Sequence, residues 1–177
     1  MAITKWILDP AHSEMQFKVK HMMITNVKGE FRNFTAEMNS DGEDFIADSI
    51  KVNIKTSSIF TNSEDRDTHL KSADFFDVEK YKEMSFTGTS MEKIDEDNYK
   101  LKGNLTIKGI SKEVELDAEF GGINKDPWGN EKAGFSLTGK INRKDWGLTW
   151  NAALETGGVL VSDEVKLSAE TQFVKQV

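Results

Sequence analysis

Apolar side chains recur along this chain at every second position. Met15, Phe17 and Val19 alternate with Glu14, Gln16, Lys18 and Lys20, and Ile50, Val52 and Ile54 alternate with Lys51, Asn53 and Lys55. Tyr99, Leu101, Leu105 and Ile107 hold one phase across Gly103, while Val114, Leu116, Ala118 and Phe120 alternate with Glu115, Asp117 and Glu119. The pattern returns in Phe135, Leu137, Gly139 and Ile141, then in Val165, Leu167, Ala169, Thr171 and Phe173. A period of two sends successive side chains to opposite faces of a strand, so each run has one apolar and one solvated face. That one-sided character belongs to antiparallel sheets. Asp41-Gly42, Lys108-Gly109, Gly121-Gly122, Gly157-Gly158 and Asp126-Pro127-Trp128-Gly129 read as the turns between runs. The chain is therefore expected to be all-β and antiparallel.

One stretch breaks the alternation, TNSEDRDTHLKSADFFDVEKY from Thr61 to Tyr81. Thr61 followed three residues later by Glu64 fits a capping box, and acids in the first turn suit the helix dipole. A short helix is expected over Ser63–Ser72, followed by an irregular piece that sets Phe75 and Phe76 side by side. The whole insert covers roughly residues 63–81. No internal repeat or linker divides the chain, so residues 1–177 read as one domain. About eight strands of about ten residues fit that length, and closing them into a barrel would remove open sheet edges. Periodicity alone leaves a sandwich equally open, and it does not separate a filled core from a hollow one.

Composition narrows the function. The 177 residues carry 23 lysines and arginines against 30 acids, a net charge of −7, with an isoelectric point near 5.1. A protein so acidic lacks the broad basic surface that neutralises a phosphate backbone, so nucleic acid is not an expected partner. No cysteine is present, which excludes disulfides, thiolate metal sites and a thiol nucleophile. The early apolar run Trp6-Ile7-Leu8 is cut at once by Asp9-Pro10, and no run approaches the ~18 residues of a membrane helix. The expected compartment is the cytoplasm for the chain as it stands, or the periplasm if a leader has been removed.

Four ordered blocks resemble the YceI-like family of lipid- or polyisoprenoid-binding proteins. The first is Trp6-Ile7-Leu8-Asp9-Pro10-Ala11-His12-Ser13, running into Phe17–Met22 and Val27-Lys28-Gly29-Glu30-Phe31. The second and most specific is Arg66-Asp67-Thr68-His69-Leu70-Lys71-Ser72-Ala73-Asp74-Phe75-Phe76-Asp77. Gly103-Asn104-Leu105-Thr106-Ile107-Lys108-Gly109 is the third, and Ile141-Asn142-Arg143-Lys144-Asp145-Trp146-Gly147-Leu148 opens the last, followed by Asn151 and Val159 to Val165. Lys82 departs from the pattern, since the family usually has a proline there. The resemblance implies an elongated eight-stranded lipocalin-like barrel with a short helical lid. It also implies a lumen for a long-chain amphiphile such as a polyisoprenoid, an isoprenoid quinone or a fatty amide, and a homodimer.

Candidate ligand contacts follow from the strand phase and the matching blocks. Met15, Phe17, Val19 and His21 share one strand face; Phe31, Phe34, Phe86, Phe135, Leu137 and Trp146 are further large apolar candidates, and Phe75 and Phe76 join them from the insert. Arg66 and His69, three apart on the expected helix, share a face and could grip a polar head group at the barrel mouth. Asp67 points elsewhere and is better suited to anchoring the helix, a role equally open to Arg66. Arg143 and Asp145 fall on one strand face and suit a packed ion pair or a corner clamp rather than catalysis. The expected role is non-enzymatic binding or carriage of the lipid, with no cofactor and no metal. The alternative is an enzyme acting on such a lipid with His21, Arg66 or His69 as acid–base groups. The three histidines, His12, His21 and His69, lack a metal-ligand spacing. No nucleophile elbow or phosphate loop is present, and Asp41-Gly42-Glu43-Asp44 is too short for a calcium loop.

Overall fold

Alternation becomes a closed wall in the computed structural model, which describes residues 3–42, 44–151 and 160–177. The strands are β1 (Ile3–Leu8), β2 (Glu14–His21), β3 (Thr25–Phe31), β4 (Phe34–Asp41), β5 (Asp44–Lys55) and β6 (Ile59–Phe60). After the helix α1 (Glu64–Lys71) come β7 (Glu83–Lys93), β8 (Asn98–Ile107), β9 (Ile110–Lys125), β10 (Glu131–Asn142) and β11 (Glu164–Lys175). Hydrogen-bonded neighbours run β1–β4–β5–β7–β8–β9–β10–β11, and β11 returns to β1. All pairs are antiparallel, so eight strands close a barrel and the sandwich is excluded.

Two of the staves are bent. β11 is flanked by β1 from Phe173 to Lys175 and by β2 from Lys166 to Glu170, so β1 and β2 are successive halves of one stave. Between them Pro10–His12 forms a single 3-10 turn, capped by the Asp9 carboxylate, which accepts from Ala11 N at 3.1 Å. Proline has no N–H to lose at such a break. The ladder is patched across it: Asp9 N donates to Gln172 O at 2.8 Å, and Gln172 N donates to Ser13 Oγ at 3.0 Å. β3 and β4 repeat the arrangement with their break at Arg32-Asn33, β3 lying along β2 and β4 along β1.

Some turn signals have other uses. Lys108-Gly109 is a tight turn with both residues at positive φ, and Asp126 Oδ1 accepts from Trp128 N and Asn130 N to close the next one. Gly121-Gly122 is not a turn. It lies inside β9, where the register slips against Gly134/Phe135 and Gly122 takes φ 106°. A bulge needs that freedom as much as a turn does. Gly157-Gly158 and Glu43 lie outside the described residues.

The helix lies where expected, between its caps Ser63 and Ser72, but the capping residue differs. Ser63, not Thr61, caps α1, its Oγ accepting from Arg66 N. Thr61 is buried and its hydroxyl is taken elsewhere, while Asn62 between them sits at φ 63°. Among the described residues no helix is long and apolar enough to cross a membrane.

Candidate lipid cavity

The inward phase of the strands surrounds a cavity of about 570 Å³, inside the ~300–1,000 Å³ range usual for small-molecule sites. One end of the barrel carries the β4–β5, β7–β8 and β9–β10 turns, and there the lumen stops on aromatic rings. Phe45 lies 5.8 Å from Trp6, 5.6 Å from Phe120 and 5.1 Å from Phe135 between ring centroids. Phe135 in turn meets Phe120 at 5.0 Å and Phe173 at 6.3 Å. Trp6 is held by its indole N–H, which donates to the buried Ser40 Oγ at 2.9 Å. These rings form a floor.

Glycines keep the walls clear of bulk. Gly29 stands directly opposite Phe17 in the β2–β3 ladder, and a Cβ there would lie 2.1 Å from Phe17 Cζ. The Phe17 ring thus lies flat across Gly29. Phe86 lies over Gly103 in the same way, with Cζ 2.4 Å from the position a Cβ would take. Rings lying along the wall leave the axis open.

At the other end sit the β2–β3 hairpin, α1 and the segments 143–151 and 160–163. Thr61 organises the lid: Asp67 Oδ1 accepts from Thr61 N at 2.9 Å and from Thr61 Oγ1 at 2.5 Å. Arg66 donates through Nε to Thr61 Oγ1 at 2.7 Å and through Nη2 to Thr61 O at 2.6 Å. Asp67 therefore anchors the helix, and Arg66 does the same while still bordering the cavity. His69 Nε2 is 2.9 Å from Asp74 Oδ2, and its ring meets Trp150 edge-on at 4.6 Å and Phe75 at 5.1 Å. Phe76 packs edge-on against Phe31 at 5.7 Å. Phe75 and Phe76 thus cover the mouth from the insert.

Arg143 clamps the facing loop. Its side chain is buried and donates to the carbonyls of Ser162 (2.9 Å), Leu148 (2.5 Å), Trp150 (2.9 Å) and Val161 (3.3 Å). Burial pulls its pKa below the ordinary guanidinium value, and the nearby Asp163 carboxylate opposes that shift. The acid beside it is Asp163 at 3.8 Å, and Asp145 makes no ion pair with it. Asn151 ties the same loop down, its amide bonding Val161 O at 2.8 Å and Val161 N at 3.0 Å.

Met15, Phe17, Val19, His21, Phe31, Arg66, His69, Phe75, Phe76, Phe86, Phe135 and Leu137 all border the cavity. Trp146 does not. The strand ends at Asn142, a 3-10 turn follows over Arg143–Trp146, and the strand phase is lost. The Trp146 ring is buried with its N–H donating to Leu105 O at 2.8 Å, so it packs as core. Phe34 is likewise buried core, paired across from Ile54, and is absent from the lining. Phe45, Met38, Met84 and Trp150 line the cavity without having been anticipated. Phe45 was hidden by a bulge: the β4–β5 register slips between Glu37 and Asn39, with Ser49 Oγ bonded to Ile46 O and Asn39 N. That slip puts both an odd and an even position of β5 on the inner face. Trp150 lies in a segment with no period to read.

Chemically the arrangement is a long, largely apolar tube whose lining arginines, histidines, lysine and aspartate all lie toward its rim. Thr171, a hydroxyl on the inner face, already donates to Phe135 O at 3.0 Å. Among the described residues no three His, Asp or Glu side chains converge as a metal site.

The YceI-like domain matches residues 6–173. A UPF0312 protein of Staphylococcus epidermidis is 41% identical over 172 residues, covering 97% of this chain and 98% of its own. The crystal structure of the Campylobacter jejuni YceI protein superposes with a TM-score of 0.77 at 40% identity, covering 89% of this chain and 90% of that one. A polyisoprenoid-binding domain from Saccharophagus degradans, implicated in plant cell wall breakdown, shares the fold with a TM-score of 0.68 at 12% identity, covering 97% and 98%.

Proposed function

The chain belongs to the family of YceI-like domains, and on that premise we propose that it binds and carries a long-chain amphiphilic lipid in its barrel without transforming it. The observation that carries this reading is a lumen of about 570 Å³ bounded almost wholly by apolar side chains. Each methylene removed from water contributes about 0.8 kcal/mol, so a long tail supplies ample driving force after the costs of ordering it. A polyisoprenoid, an isoprenoid quinone or a fatty amide fits that chemistry, and the polyisoprenoid-binding relative of the same fold favours the first. The head group would rest at the rim near His21, Arg66 and His69.

A catalytic role for those three finds less support. Arg66 is committed to Thr61 and His69 to Asp74, so neither is aimed at a reacting atom. Acid–base chemistry needs groups within hydrogen-bond reach of one substrate atom. We also propose a homodimer, checked by sedimentation velocity.

The deciding experiment is solvent extraction of the denatured protein, taken from its natural source, followed by mass spectrometry. One long-chain amphiphile per chain is the expected result. An empty extract, together with no uptake of a fluorescent long-chain fatty probe, overturns the proposal.

A further inference from the structure

The β2–β3 hairpin carries features that neither the barrel nor the cavity requires. Its turn is built from Met22 and Met23, both in the left-handed region at φ 53° and 60°, with Ile24 N donating to His21 O at 3.2 Å. Tight hairpin turns with two such residues favour Asn-Gly, because a bulky side chain is strained there. Here the strained positions hold methionines, and the tip is open to solvent: Met22 is 42% exposed, Met23 52% and Ile24 77%. Three adjacent apolar side chains are thus held out into water at an avoidable conformational cost. The tip is also placed at the cavity's rim, since the preceding residue, His21, lines the lumen.

Behind the tip runs a row of lysines. Lys140 stands opposite Lys166, Lys166 opposite Lys18, and Lys18 opposite Lys28, across β10, β11, β2 and β3. Like charges directly opposite on neighbouring strands are destabilising, yet this acidic chain of net charge −7 repeats the arrangement three times in succession. Lys20 adds a further exposed cation nearer the tip. Of the acids on this side, Asp163 pairs with Lys144 at 3.4 Å, Glu164 with Lys140 at 3.6 Å and Asp117 with Lys100, while Glu113 and Asp145 border the same groove as Lys18, Lys140 and Lys166 and leave the row a net cationic edge toward β3. Lys18, Lys20, Lys28 and Lys166 have no ion-pair partner among the described residues.

We infer that this hairpin docks the barrel mouth onto an anionic lipid bilayer. Past Lys18, where the β2–β11 ladder ends, β2 runs about 10 Å further to His21 at ~3.3 Å per residue, held on one side by the His21–Val161 bridge and by Met22 N donating to Leu160 O at 2.7 Å, and the side chains of Met22 to Ile24 form its exposed end. Interfacial apolar groups sit about 5–10 Å into the headgroup and acyl boundary. Tip insertion to that depth brings Lys20 and then the lysine row level with the phosphates. Glu64 and Asp65 on α1 lie across the mouth and are repelled, so the barrel docks tilted onto its β10–β3 side. The inference goes beyond cargo binding, and it is measured without reference to the cavity's content, so either reading can fail alone.

The test is co-sedimentation with phosphatidylcholine vesicles and with equimolar phosphatidylcholine–phosphatidylserine vesicles. The native protein sediments with the anionic vesicles, and binding falls as salt rises. The M22N/M23G variant installs the residue pair the turn prefers, so its unfolding temperature is held or raised while vesicle binding drops about tenfold or more, as expected for loss of buried apolar groups. The K18Q/K28Q/K166Q variant loses the preference for anionic vesicles, about fivefold per lysine. If the native protein stays in the supernatant with both vesicles, or if M22N/M23G binds as well as the native protein, the inference is overturned. It is equally overturned if M22N/M23G only converts a dimer to monomers, which would make the tip a contact between copies.

Discussion

Replacing Gly29 by alanine puts a methyl group where the Phe17 ring now lies. The new Cβ would meet Cζ at 2.1 Å and both Cε atoms at 2.7 Å, whereas ordinary contact begins at 3.4 Å. The ring tip must therefore retreat by at least 3.4 − 2.1 = 1.3 Å. All three clashing atoms belong to one side chain whose open direction is the lumen, so the wall gives way by pushing Phe17 inward. Overpacking of this kind costs about 1–3 kcal/mol. The backbone at Gly29 is not left-handed, so alanine returns about 0.4–1 kcal/mol by limiting the unfolded chain. The net loss is about 1–2 kcal/mol, or about 2–8 °C in unfolding temperature for a chain of this size. Thermal melts of wild type, G29A, F17A and F17A/G29A form the decisive cycle. In the F17A background the alanine at 29 meets no ring and is neutral or stabilising. Equal destabilisation of both backgrounds by G29A would refute the idea that Phe17 rests on the glycine.

Three further outcomes follow. Arg143→Met strands four backbone carbonyls that the guanidinium now serves, and urea unfolding should register a loss of about 3–5 kcal/mol. Asp9 is held below its ordinary value of 3.8, first by the hydrogen bond from His12 and then by that from Lys132. A depressed carboxylate contributes stability that is present above 3.8 and is lost as pH falls through the lower folded value. Acid titrations of stability should accordingly fall less steeply below that pH in D9N than in wild type. Ala169→Trp fills the lumen from the β11 wall, so bound lipid measured after solvent extraction should vanish while cooperative unfolding is retained.

Strand phase was legible because each barrel stave needs one apolar and one wet face, and that requirement writes itself along β2, β8 and β10. It therefore placed Phe17 with His21, and Phe135 with Leu137, on the inward faces of their strands, while only the resemblance implied that those faces enclose a hollow. Reading failed where local geometry slips by one residue. The bulge near Ser49 hid Phe45, and the break after Asn142 turned Trp146 from a lining residue into core. Thr61 had the right spacing for a cap, but tertiary hydrogen bonds to Asp67 and Arg66 claimed its hydroxyl first. Barrel closure itself rests on β1 meeting β11, a pairing between the two ends of the chain that no local pattern encodes.

The aromatic floor around Phe45 makes the barrel a cul-de-sac. On the proposed carriage of a lipid, a guest would enter tail first and back out by the same doorway, so its polar end would never pass through the protein. Surplus methylenes on an overlong guest have to double back or remain in water. Discrimination by length is then set at the threshold, like a ruler read from its open end, while the interior treats every tail that fits alike.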